Sequence, residues 1–238
     1  MLPDITYDQA QSIGKKIWHN ESGGSQEKLI FWSPLEPFPS LGIGHFIWYP
    51  QDYNGSFTQD FPALITFLKS KGIAIAPWLE GSCPWPTRET LYQAMQSERM
   101  QELKTVLLST IALQAEYCIQ KLHTMLPDIL AQLSKKMRKR GQQIITDLAK
   151  TLQGLYALID YLNFKGSGLN EKERYNHQGW GLLQILEYMI TAQLSPTPHN
   201  FAQAAEHILR QRVANAPAGS PDTQCLAGWL KRVKTYKD

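Results

Sequence analysis

Glu21 stands at the end of an apolar helical stripe, and the run Ser40-Leu41-Gly42-Ile43-Gly44-His45 follows on what reads as a β-hairpin. A carboxyl group held against apolar surface has its charged form disfavoured, so it can keep a proton near neutral pH. Such a group beside a sheet wall is suited to protonating a glycosidic oxygen, the general-acid step of glycoside cleavage. Glu36, in the turn of the hairpin, is the nearest candidate for a second carboxylate.

The elements that would position these groups follow from periodicity. Thr6 and Gln9 make a capping box. From there Tyr7, Ala10, Ile13, Gly14, Ile17 and Trp18 recur at spacings of three and four, and Glu21 continues the same stripe. Gly23-Gly24 supplies the stop, because glycine takes the left-handed conformation at little cost. Residues 28–33 are β-prone and predict a first strand; residues 41–49 predict the return strand, with Gly42 and Gly44 on one strand face. Pro34, Pro37 and Pro39 punctuate the turn between them, giving a hairpin lobe over about 28–50.

A second region that could meet a ligand lies at 163–184. Asn163-Phe-Lys165-Gly-Ser-Gly168 ends a helix in a glycine-rich loop where a ligand could reach the backbone. Tyr175, Gln178, Trp180 and Gln184 then offer aromatic rings and amides suited to sugar hydroxyls.

The arrangement Glu-x-Gly-Gly, hairpin, then Ser40-Leu-Gly-Ile-Gly-His45 resembles the catalytic region of phage-type lysozymes. That resemblance implies a lysozyme-like α+β fold, mostly helical, with Glu21 as general acid and Ser40 at the family's threonine position. His45 closes the matching run and would contact substrate. Pro34 stands at the family's aspartate position, so the second catalytic group is left to Glu36 or Ser40. The stretch 155–168 is similar to the long central helix of those enzymes, and implies that Asn163 and Lys165 reach the floor of a cleft beside Glu21. Residues 179–184 faintly resemble a segment of lytic transglycosylases. Over more of the chain (38–50, 163–168, 173–175, 179–184 and 228–233) the sequence resembles a group of uncharacterised exported bacterial proteins. Together these resemblances imply a glycosidase of muramidase or lytic transglycosylase type acting on peptidoglycan or a related amino-sugar polymer. Met-Leu-Pro-Asp at the start lacks a signal-peptide core, so either the protein stays inside the cell or an export signal has been removed; the resemblance implies the latter, with a periplasmic or secreted location. A catalytically inactive glycan-binding or cell-envelope interaction protein on the same fold is the alternative, and a protein–protein module such as a secreted effector or inhibitor is a third reading.

Composition is compatible with this picture. The 238 residues suffice for one sizeable core, read as a single domain over 1–238. The net charge of +3 demands no nucleic-acid partner and would mildly favour an anionic polymer. Cys83, Cys118 and Cys225 lack metal-ligand spacing; one disulfide with a free thiol and three buried thiols are both compatible with the sequence. Neither a metal site nor a cofactor is expected, and no apolar run is long enough to cross a bilayer.

The remainder predicts helices. Residues 58–71 carry Phe61, Leu64, Ile65 and Leu68 on one side and stop at Gly72. An irregular proline- and tryptophan-rich linker at 73–86 precedes helices at 87–96 and 97–109. An antiparallel pair at 110–125 and 128–140, broken at Pro127, follows, and a central helix starts near Leu155. The basic run 135–140 would close its helix, where the macrodipole favours cations.

Overall fold

A computed structural model describes residues 2–55 and 57–237. The chain is α+β and mostly helical, with one small three-stranded antiparallel sheet. It divides into two compact units, Ile5–Cys118 and a second made of Met1–Asp4 with Ile119–Asp238.

The first unit opens with α1 (Tyr7–Ser22). The Thr6–Gln9 capping box is present, and Gly23 ends the helix in the left-handed conformation at φ 67°. Ala10, Ile13, Gly14 and Ile17 are buried as the periodicity predicts, whereas Tyr7, one turn earlier on the stripe, is 62% exposed. Gly14 is needed for packing: a Cβ there would lie 2.8 Å from the Ile111 carbonyl oxygen.

The hairpin differs from the sequence expectation. Residues 26–29 form a 3-10 turn, and the first strand is only β1 (Ile30–Phe31). The expected return strand is two strands, β2 (Ser40–Leu41) and β3 (Phe46–Ile47), joined by a tight turn over 42–45. Gly42 therefore lies in that turn at φ 72°, not on a strand face, and Gly44 lies in the same turn. The order is β1-β2-β3. Ile30, Leu41 and Phe46 are in register on the buried face, and Phe31, Ser40 and Ile47 on the opposite one.

Three helices follow in this unit. α2 (Phe61–Ser70) buries Phe61, Leu64, Ile65 and Leu68. The linker contains a short 3-10 helix (Pro77–Glu80). α3 (Arg88–Gln93) is shorter than predicted, and α4 (Glu98–Ser109) starts at the Ser97 cap.

α5 (Ile111–Gln132) begins in the first unit and ends in the second, running straight through Pro127. The expected break is absent because Leu122, Leu126, Ile129 and Leu130 are all buried across the proline. Their burial outweighs the lost backbone bond, worth about 3 kcal/mol. The chain turns instead at Ser134, which caps α6 (Lys135–Leu148). The basic run thus opens a helix, and the macrodipole explanation does not apply to its own helix. Arg138 instead caps the helix before it, donating to the carbonyls of Leu130, Ala131 and Leu133 at the end of α5.

α7 (Leu152–Lys165) starts at the Thr151 cap, three residues earlier than predicted, and buries an unbroken run from Gly154 to Leu162. α8 (Leu182–Thr191), α9 (Pro198–Asn215) and α10 (Asp222–Lys234) complete the second unit. Among the described residues no helix is long and apolar enough to cross a membrane.

Candidate active site

Glu21 lies in the last turn of α1 with its side chain 14% exposed, and its Oε2 is 3.5 Å from Nδ1 of His45. His45 sits at φ 50°, a left-handed conformation that is uncommon away from glycine. Its backbone N–H donates to the Gly42 carbonyl, and its ring stacks on Phe31 at 6.3 Å between centroids. Phe31 is the register partner of Ser40. The structure therefore brings Glu21 against His45, His45 against Phe31, and Phe31 beside Ser40 on the less buried face of the sheet.

Two hydrogen-bonded side chains hold this patch in shape. The side chain of Gln114, in the first turn of α5, accepts the Ile43 N–H at 3.0 Å and donates to the Leu107 carbonyl and the Thr110 hydroxyl. A fully buried amide satisfied in this way ties the turn to the helical body. Sequence reasoning missed it, although a lone amide in the apolar stretch Ile111-Ala-Leu-Gln114-Ala was the available signal. On the other side, Trp18 Nε1 donates to the Ser25 carbonyl and so pins the Gly23-Gly24 turn that follows Glu21.

Glu36 occupies a different place. It lines a cavity of about 1010 Å³ together with Trp32, Asp52, Tyr53, Cys83 and Arg88, while Glu21, Ser40 and His45 are not among the described lining residues. Pro34, at the expected aspartate position, is also on this wall. Burial raises the Glu36 carboxyl above its ordinary pKa. Arg88 is committed within the wall, donating Nε–H to the Trp32 carbonyl with its guanidinium over the Tyr92 ring. Burial also pushes the Cys83 thiol up to about 12, so it is inert as a nucleophile at neutral pH. No disulfide joins Cys83, Cys118 and Cys225, and Cys225 is exposed.

The remaining expected site residues belong to the second unit. Gly166 and Gly168 both take positive φ, and the carbonyls of Gly166 and Ser167 accept the N–H groups of Leu182 and Leu183 at the start of α8. Gln184 accepts from the Gly181 N–H and donates to the Gly168 carbonyl, so its amide bridges loop and helix. A Cβ on Gly181 would collide with the Gly168 backbone, which explains the glycine at this close approach. Tyr175 and Gln178 pair across a tight turn in which Asn176 and His177 both have positive φ, and Gln178 accepts from Asn215. Trp180 is buried: its carbonyl accepts the Tyr161 hydroxyl and its ring packs against Tyr175 and the Arg212 guanidinium. Asn163 and Lys165 lie in the last turn of α7. Lys165 stands between Phe164 and Trp229, and its pKa is lowered to about 7, by burial first and by the Arg212 guanidinium next.

Among the described residues no group of three His, Cys, Asp or Glu side chains is placed to hold a metal ion. No protein-family model, curated protein or solved structure matches this chain.

Proposed function

We propose that the protein is a lysozyme-type glycosidase acting in the periplasm or outside the cell on peptidoglycan or a related amino-sugar polymer, with Glu21 as its general acid. The observation that carries this reading is the Glu21–His45 pair, a shielded carboxyl at the end of α1 facing a turn of the sheet that follows it. In the protonated state Glu21 donates to the glycosidic oxygen as the bond breaks, and His45 orients the carboxyl for that transfer. Ser40 holds the attacking water from the outer face of β2. Glu36 suits a binding role better than a nucleophilic one, because its carboxyl is pushed toward the protonated form and it lines a cavity apart from Glu21.

That separation favours the second reading, a glycan binder without catalysis: Glu36, Asp52 and Tyr53 provide carboxylates and a ring to a sugar whether or not Glu21 reacts. Glu21→Gln distinguishes the two. For an enzyme, release of soluble fragments from purified peptidoglycan falls at least ~100-fold while the circular dichroism spectrum and melting temperature are retained. Wild-type protein that co-sediments with peptidoglycan but releases nothing from it would instead establish the binder.

A further inference from the structure

Lys165 ends α7 with its ammonium 3.5 Å from the centroid of Trp229 and 4.1 Å from that of Phe164. Two guanidiniums flank it, and both are already paired. Arg212 of α9 makes a bidentate pair with Asp222, at 2.7 and 3.1 Å. Arg232 of α10 makes another with Asp160, at 2.8 and 2.9 Å, and Asp160 also accepts the Tyr236 hydroxyl. Both nearby carboxylates are therefore claimed by arginines. Among the described residues no acceptor meets Lys165 Nζ.

The charged and titratable groups facing this amine are Arg212 from α9, Asp222, Cys225 and Arg232 from α10, and the Asp160 partner on its own helix. Ring faces favour the cation, while burial and two neighbouring cations oppose it more strongly. The side chain nevertheless keeps a path to solvent. Lys165 and Trp229 are only partly buried, Cys225 is exposed, and a Cβ built on the adjacent Gly166 would meet open space. A lysine that is desolvated, lies next to cations and is still reachable has the environment of an amine nucleophile.

We propose that Lys165 is a reactive amine that takes small aldehydes or ketones as an imine. The neutral amine adds its lone pair to the carbonyl carbon, forming the C–N bond while the carbonyl oxygen gains a proton and the nitrogen loses one. Loss of that oxygen as water completes the C=N bond, and no oxidant or reductant is required. This inference does not depend on the glycosidase reading, and its test requires no glycan.

The intact protein is treated with glycolaldehyde and sodium cyanoborohydride, which reduces any imine to a stable secondary amine, and each lysine is quantified by peptide mapping. At pH 7 Lys165 should react at least about tenfold faster than the median lysine, because an ordinary lysine is almost wholly protonated there. Its rate should reach half its maximum near pH 7. Reaction no faster than that of exposed lysines at pH 7, reaction appearing only with the others at alkaline pH, or no reaction at any pH would each overturn the proposal.

Discussion

Glu21 and Asp160 are both carboxylates shielded from water, and their partners decide what each can do. Asp160 is fully buried and accepts hydrogen bonds from both Arg232 and Tyr236. It is bound to a guanidinium and joins α7 to α10. Glu21 faces the His45 imidazole and keeps part of its side chain exposed. Asp160→Asn keeps the shape but removes the charge that neutralises a buried arginine. It should destabilise the protein by about 3–5 kcal/mol, the usual cost of breaking a buried pair from one side. Equilibrium urea unfolding would measure this; a loss below about 1 kcal/mol would mean that water reaches Arg232 and the pair is not structural. Glu21 was legible from spacing because helical phase is a local property. The Asp160–Arg232 pair joins residues 72 positions apart, and no local pattern marks them as partners.

At the scale of elements, the turn joining β2 and β3 is the part on which the candidate site depends. Gly42 combines φ 72° with contact against the Gln114 side chain and Leu107. An alanine there would take a disfavoured left-handed conformation and press on the amide that anchors the turn. Gly42→Ala should therefore cost about 2–4 kcal/mol and displace His45 from Glu21. Thermal unfolding would register the first effect, and the histidine and Phe31 ring resonances in NMR would register the second. A melting temperature within a degree of wild type would contradict both. Helix starts at Thr6, Thr87 and Ser97 are side-chain caps that the sequence exposes directly, since a cap and its amide lie three residues apart, whereas the Thr151 cap of α7 emerged only from the structure. Pro127 misled for the opposite reason. Proline breaks helices on local grounds, and burial of the residues around it overrode that preference.

For the molecule as a whole, Lys165 couples folding to pH. In the unfolded chain it titrates at the ordinary lysine value of ~10.4, and in the folded protein at about 7. Between these values the unfolded state binds more protons, so the contribution of Lys165 to stability rises with pH across that window and is a constant penalty below it. Urea unfolding of wild type and Lys165→Met from pH 6 to pH 10 isolates this contribution from other titrating groups. Wild type should gain stability relative to the variant as the pH rises above 7. A difference that stays flat over the range would mean that the ammonium remains hydrated in the folded state. The groups responsible come from α7, α9 and α10, so the effect belongs to the assembled second unit and to no single helix.

By itself the sequence determined the α+β, mostly helical character, the caps of α1, α3 and α4, the buried faces of α1 and α2, and the placement of Glu21 ahead of a small sheet. These depend on interactions between residues a few positions apart, which periodicity and turn chemistry report. Only the tertiary structure decided that residues 41–49 fold as two strands around a turn held by Gln114. It also assigned Glu36 to a cavity of its own, turned Arg138 back onto the end of α5, and left Lys165 without a counter-ion between two rings. Each of these outcomes rests on burial and on competition for partners between distant segments. A buried polar group takes whichever partner the packing brings to it, and sequence spacing carries no record of that choice.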